Sequence, residues 1–355
     1  MPAPELRPRS SHRDLNSLVC GDFALAQLSD GSFIVGSAPF QSSEEPAHEG
    51  ASFYINDFTL SESRPWRIPH QWAKFDSINE FPVHCPQAPE LDWVEPDFSA
   101  FAEVFKSLKE ELKQGELVKT VPVVSARCQI SDSTHLAQML VNASLPADKS
   151  SSLYAFQDNG NGFVGLTPER LFRVDGKTLQ TMALAGTSTS GSRDTFSRDT
   201  KEQYEHRLVV ETLRHRLAGF GKVIEGEREI IDVGGMVHFL TRFHVILDSG
   251  PLITEVIGAL HPTPAVGVVP GNSKFIQALC EQRSLSGTPA AFGAPFGVKL
   301  GECFESFVLI RGVFWDHGNA FLPSGCGIVG ESRLQGEWQE LALKRNWVKE
   351  AFPLV

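Results

Sequence analysis

Lys201-Glu202-Gln203-Tyr204-Glu205-His206 and, much later, Glu337-Trp338-Gln339-Glu340 followed by Lys344 each set a Glu-x-x-Glu on a stretch with helical periodicity. Residues three apart on a helix project from the same side. Carboxylates that close repel unless water, a proton or a cation separates them. Two such helices face to face would enclose hard oxygen donors suited to one Mg²⁺, with Glu202, Glu205, Glu337 and Glu340 as its candidate ligands. The plain alternative is two solvated amphipathic faces.

Working outward from Lys201, the first helix is expected over about Asp199 to Ala218, with Leu208, Thr212, Leu213 and Leu217 as its apolar stripe. A polar, Gly/Ser-rich loop from Ser188 to Ser197 precedes it and could move over a site. Upstream, Leu153–Phe156 and Gly162–Leu166 read as strands around Asp158-Asn159-Gly160-Asn161. Leu171–Val174 and Lys177–Leu184 do so around Asp175-Gly176, and together these suggest an antiparallel meander. Downstream, Met236–Leu240 and Phe243–Leu247 read as strand, and a helix is expected near Ser273 to Gln282. Long strands follow at Ser306–Trp315 and Ala320–Pro323, and the final helix, about Arg333 to Ala351, carries the second acidic pair. Before residue 97 the chain reads as short strands and loops, with a Pro-rich aromatic segment from Pro65 to Pro96. From Asp97, a natural N-cap, a helix runs to a Gly115 stop and feeds the strand Leu117–Val124, which Pro122 interrupts. The division is therefore 1–96, a strand-rich part of the same fold, and 97–355, the core that carries both acidic helices.

Composition narrows the function classes. The chain has 355 residues, 41% of them hydrophobic, enough for one large α/β unit. A net charge of −11 without a Lys/Arg block disfavours nucleic acid or an anionic membrane as partner, and leaves room for a small anionic substrate in a locally basic pocket. The six cysteines, Cys20, Cys85, Cys128, Cys280, Cys303 and Cys326, lack a Cys-x-x-Cys pair, as expected of reduced thiols in a cytoplasmic protein. Met1 to Leu15 has no apolar signal core, and no stretch reaches the length of a membrane span.

Several weaker motifs hold residue types that do chemistry. Lys119 inside an apolar strand is either an edge lysine reaching water or a desolvated amine able to act as a base. Thr167-Pro168-Glu169-Arg170 puts a carboxylate at a turn between strands. Leu184-Ala185-Gly186-Thr187 and Gly325-Cys326-Gly327 end strands in small residues, where an anion can approach the backbone. Arg311 is a second cation in an apolar strand, suited to clamping a carboxylate or to pairing with a buried acid. His261-Pro262-Thr263-Pro264-Ala265 is stiffened by its prolines. His238 lies in a strand, where a histidine usually serves the core. No phosphate loop and no Gly-x-Ser-x-Gly elbow is present.

The order of these motifs resembles the chorismate-binding enzymes, which include isochorismate synthase, salicylate synthase, anthranilate synthase component I and aminodeoxychorismate synthase. The likeness runs from about Asp97 to Phe352. It implies a large α/β fold, two antiparallel sheets between helical layers, and a Mg²⁺ that bridges the protein to the ring carboxylate of chorismate. By position, Glu205 and Glu340 would ligate the metal directly, and Glu202 and Glu337 would hold metal-bound water. Gly186 and Thr187 would meet the ring carboxylate. Arg311, Gly325 and Lys344 would hold the enolpyruvyl side, and His238 would line the substrate site. Glu169 would be the general acid for the departing 4-hydroxyl, and Lys119 the base that activates water.

Lys119 stands where the aminating branch has glutamine, and Ala185 where the aminodeoxychorismate branch has a lysine. Ala265 resembles the isochorismate synthases, of menaquinone or siderophore type, rather than the pyruvate-eliminating lyases. The resemblance thus implies a reversible isomerisation of chorismate to isochorismate with no obligatory protein partner. Salicylate synthase, anthranilate synthase component I and a non-catalytic chorismate binder remain alternatives. Pro122 departs from the family strand, and Gly287 to Lys299 lacks its aromatic Gly-Trp pattern.

Overall fold

The structure is a computed structural model that describes residues 21–76, 91–143, 150–250, 252–352 and 354. The reading of Met1 to Leu15, Cys20, Cys85 and part of the Pro-rich segment lie outside these residues. The strands are β1 (Phe23–Gln27), β2 (Phe33–Ser43), β3 (Ala51–Ile55), β4 (Trp66–Phe75), β5 (Lys119–Thr120), β6 (Val123–Gln129), β7 (Ser152–Asp158), β8 (Asn161–Thr167) and β9 (Arg170–Asp175). They continue with β10 (Thr178–Thr189), β11 (Gly221–Val233), β12 (Met236–Leu247), β13 (Val268–Val269), β14 (Pro295–Leu300), β15 (Cys303–Val308), β16 (Gly312–Asp316) and β17 (Asn319–Gly325). The helices are α1 (Phe98–Lys113), α2 (Ser133–Ala143), α3 (Arg193–Phe196), α4 (Thr200–Leu217), α5 (Ile253–Leu260), α6 (Ser273–Leu285) and α7 (Leu334–Ala351).

Fifteen strands form one antiparallel ladder in the order β11-β12-β10-β9-β15-β14-β3-β4-β2-β1-β7-β8-β16-β17-β6, and β13 and β5 make a separate pair. The sheet bends back on itself. Six ladder steps separate β14 from β8, which in a flat sheet would put them about 29 Å apart, yet the rings of Phe163 and Phe296 lie 5.6 Å apart, edge to face. Alternation along β1 shows how both sides are filled. Phe23 and Leu25 belong to one buried cluster, with Leu136 and Leu140 of α2 and Val348 of α7. Ala24 and Ala26 belong to another, made of Phe53, Phe156, Phe163, Phe296, Phe307 and Phe314 inside the bend. The expected pair of sheets is thus a single ladder whose arms face each other across an aromatic core.

A third cluster packs α4, α5 and α6 on the arm β9-β10-β12-β15 through Val209, Leu213, Leu217, Val256, Leu260, Phe275 and Leu279. At the other arm, α1 holds α7: Phe98 and Phe101 pack on Trp338, with centroids at 5.3 and 5.5 Å. The acidic helices are therefore carried on opposite arms of one sheet.

Several local expectations change. The meander is two separate hairpins, because β8 pairs with β16 and β9 with β15. The polar loop before α4 is ordered: β10 extends to Thr189, a helical turn and α3 follow, and Phe196 stacks on Phe239 at 4.2 Å. Leu117–Val124 is two strands, broken at Pro122, so β5 leaves the main ladder and pairs Lys119 with Val269. The long strand Ser306–Trp315 is likewise divided, and Arg311 sits in the break at φ +58°. Among the described residues no helix is long and apolar enough to cross a membrane.

Candidate active site

Asp199 caps α4 by accepting hydrogen bonds from the Lys201 and Glu202 backbone amides. Its buried side chains are Glu202, Glu205, His206, Val209, Val210, Leu213 and Leu217, so the carboxylates continue the stripe that enters the core, and the two-solvated-faces alternative fails. Leu208 and Thr212 are only half-buried. His206 ties the helix to β12 through Thr241, Nε2 to Oγ1 at 2.9 Å. Glu337 is buried on α7 and faces the same space: Lys201 Nζ lies 2.9 Å from Glu202 Oε1, 3.4 Å from Glu205 Oε2 and 3.2 Å from Glu337 Oε1. The fourth carboxylate, Glu340, pairs with Lys344 at 2.6 Å.

Lys119 is fully buried, with Nζ 2.9 Å from Glu205 Oε1. It is held in place by the pairing of β5 with β13 and by the Thr120–Ile328 bridge. Gly327 is required above it, because a Cβ there would collide with the Glu205 carboxylate and crowd Lys119 Cε. Lys119 and Lys201 hold the buried Glu205 carboxyl down at about 2, against the cost of burial. Glu202 and Glu337 are pushed the other way, to about 8 and about 7, by burial and by the neighbouring carboxylates.

Glu169, at the turn between β8 and β9, is buried and accepts a hydrogen bond from Thr263 Oγ1 at 3.0 Å. Burial pushes its carboxyl up to about 7, so near neutrality it can hold a proton and release it.

The remaining predicted residues gather at the other side of the same cleft. Thr187 N donates to Glu202 Oε2 at 2.8 Å. Gly186 has φ +76°, and a Cβ there would crowd the Glu202 carboxylate and Phe239. His238 Nδ1 lies 2.9 Å from Gly186 O and 3.3 Å from Thr187 Oγ1, while Arg311 Nη2 lies 3.4 Å from His238 Nε2. Burial and the Arg311 charge push His238 down to about 3. The neutral ring thus donates from Nδ1 to the Gly186 carbonyl and accepts from Arg311. Arg311 is buried, and that burial lowers its guanidinium to about 10. Lys344 Nζ also donates to Gly325 O at 2.8 Å.

Glu169, Gly186, Thr187, Glu205, His238, Arg311, Gly325, Glu340 and Lys344 line one cleft, and Lys119 lies beneath its Gly327 wall. Glu202 and Glu337 stand behind Glu205, around Lys201. All twelve predicted site residues therefore meet in one region. Sequence reasoning quoted Lys201 and Thr263 without giving them a part, although each lies inside a motif, and read Gly327 only as part of a place where an anion can approach the backbone. The apolar wall residues Val121, Leu184, Val266, Phe292 and Ile310 carry no local signal, because an apolar residue at a strand end reads as core.

The residues fit a hard divalent cation by their donor set: four carboxylates, with Glu337 Oε2 buried and, among the described residues, without a hydrogen-bond partner of its own. Among the described residues no three His, Cys, Asp or Glu side chains converge on a common point; the Lys201 ammonium stands between the glutamates instead.

The sequence profile of the family described as chorismate binding enzyme matches residues 26–352, and so takes in the N-terminal strands as well. The chain is 32% identical over 222 residues to a "Salicylate biosynthesis isochorismate synthase" from Pseudomonas aeruginosa, covering 58% of this chain and 45% of that one. It is 24% identical over 347 residues to "Isochorismate synthase MenF" from Bacillus subtilis, covering 88% and 73%. Against the Pasteurella multocida protein of the same name, 29% identical, it spans 57% of the relative's length. The solved structure of Escherichia coli MenF, described as a menaquinone-specific isochorismate synthase, superimposes with a TM-score of 0.76 at 19% identity over 99% of this chain and 93% of that chain. With a profile match over nearly its whole length and this fold, the chain belongs to the chorismate binding enzyme family.

Proposed function

We propose that the protein is a Mg²⁺-dependent isochorismate synthase that reversibly converts chorismate to isochorismate. The observation that carries this reading is the pair Glu169 and Lys119 at one cleft: a carboxyl in its lining that burial leaves able to hold a proton at neutral pH, and a fully buried amine beneath its Gly327 wall. The isomerisation needs both. Hydroxide is a poor leaving group, so Glu169 protonates the 4-hydroxyl as the C4–O bond breaks and water departs. Water is a poor nucleophile, so Lys119 takes its proton as the new C–O bond forms at ring carbon 2. The ring double bonds shift between the two carbons, one water enters, one leaves, and the reverse direction exchanges the roles.

An ammonium has no lone pair, so Lys119 can act as base only as the neutral amine, once it has parted from Glu205 and released a proton to solvent. Gly186 and Thr187 receive the ring carboxylate, and Arg311, positioned by His238, clamps the enolpyruvyl carboxylate together with Lys344 and the Gly325 backbone. Glu205 and Glu340 would hold the Mg²⁺, with Glu202 and Glu337 behind them. The bound ion would supply the positive charge that anchors the ring carboxylate and withdraws electrons from the ring. Ala265 lines the cleft with a methyl group, which offers no hydroxyl for a pyruvate-eliminating path. The relatives' names point the same way. The free thiols Cys128, Cys280, Cys303 and Cys326 suit a reducing cytoplasm, and the enzyme is proposed to act without a protein partner.

The test is to incubate the protein with chorismate and Mg²⁺, with and without ammonia, and to resolve the products. Isochorismate without pyruvate is expected. Salicylate with pyruvate, or anthranilate formed only with ammonia, would replace this reading by a sister activity, and unchanged chorismate would leave a binding protein.

A further inference from the structure

Lys201 occupies an unusual place. It lies in the first turn of α4, where the helix dipole disfavours a cation, and its own helix would be better served by the acids beside it. Its ammonium nevertheless reaches inward to three carboxylates from two helices, at 2.9, 3.4 and 3.2 Å. Lys119 is committed to Glu205, and Lys344 to Glu340 and the Gly325 carbonyl. Among the described residues, Lys201 is the cation in contact with both Glu202 and Glu337. Its side chain keeps 17% of its exposure, which gives its flexible stem a route to solvent.

We propose that Lys201 is an internal stand-in cation: its ammonium fills the glutamate cluster when no metal is present and is displaced outward when a divalent cation enters. This inference rests on the metal reading given above. The ammonium and the metal compete for the same carboxylates, so the cluster stays assembled when empty of metal, at the expense of metal affinity. The exchange raises the positive charge of the cluster by one: a monocation leaves it, and a dication arrives to meet an anionic substrate.

Two measurements test it. In the wild-type protein, acylation of lysines by sulfo-N-hydroxysuccinimidyl acetate, read peptide by peptide by mass spectrometry, should increase at Lys201 severalfold on adding Mg²⁺. Unchanged or reduced labelling there overturns the exchange. In Lys201→Met, calorimetric titration should give Mg²⁺ binding tighter by at least about tenfold, since the ion no longer has to displace an ammonium from the same carboxylates. The metal-free variant should also melt lower than wild type, and saturating Mg²⁺ should close that gap. Equal or weaker affinity counts against the proposal. Should Lys201→Met not fold without metal, the wild-type labelling decides. A wild type that binds Mg²⁺ with Lys201 labelling unmoved discards the exchange and keeps the metal reading; a wild type that binds no Mg²⁺ discards both.

Discussion

Glu169 and Glu205 are the same side chain, both buried at one cleft, and they end at opposite protonation. Glu169 has a hydroxyl beside it and cations only at a distance, so burial dominates and its carboxyl rises to about 7. Glu205 touches Lys119 and Lys201, so charge dominates and it falls to about 2. Between these two, contact with two ammonium groups, rather than depth, separates the carboxyl that can donate a proton from the one that stays an anionic ligand, whereas Glu202 and Glu337, which touch Lys201 alone and have carboxylate neighbours, are pushed up.

The largest expected effect breaks the acid side of that contrast. Glu169→Gln keeps the shape and cannot donate a proton, so turnover should fall about 10²–10⁴-fold while substrate binding survives; steady-state kinetics with a binding isotherm checks this. Lys119→Ala should abolish most turnover, on the order of 10²-fold or more, yet spare Mg²⁺-dependent chorismate binding. Undiminished activity would remove its assignment as base. Glu340→Ala should lose the Mg²⁺ dependence of chorismate binding, measured by titration, while metal-free stability changes little.

The pH dependence sharpens the contrast. Glu169 has a folded-state value above its ordinary 4.5, so its neutral form favours the fold at low pH and that contribution is lost as pH rises from about 4.5 to about 7. Wild type should therefore lose stability relative to Glu169→Gln across that window, on the order of 3 kcal/mol, as read by denaturant melts at several pH values. Forward kcat/KM should fall through an alkaline limb near pH 7. The smallest effect is expected from Thr263→Val: the Thr263 hydroxyl stabilises the Glu169 anion, so its loss should move that limb upward by a fraction of a pH unit.

Local signals carried much of the site. Asp199 and the 3.6-residue period located α4, and Asp97 with Gly115 located α1, because caps and periodicity are written within a few residues. The ordered motifs placed Lys119, Glu169, Gly186, Arg311 and Lys344 at one cleft. β11 escaped because it is an edge strand of mostly exposed residues, among them Lys222, Glu225, Glu227, Arg228 and Glu229, and its polarity hides the period of two. The bend of the sheet escaped for another reason: contacts such as Phe163 with Phe296 join distant strands, and nothing local encodes them. Lys201 was visible as a letter, but its role comes from Glu337 on another helix.

The ladder also sets a schedule for the ribosome. β3 near residue 55 takes its neighbour from β14, Phe296 opposite Ile55, so the middle of the sheet cannot close until some 245 residues more have been made. At roughly 5–20 residues per second that is a wait of about 12–50 s, during which Phe53 and Tyr54 lack their final cover. Stalling or truncating synthesis before Leu300 should leave the early strands exposed to chaperones and proteases, however complete they look in the finished protein.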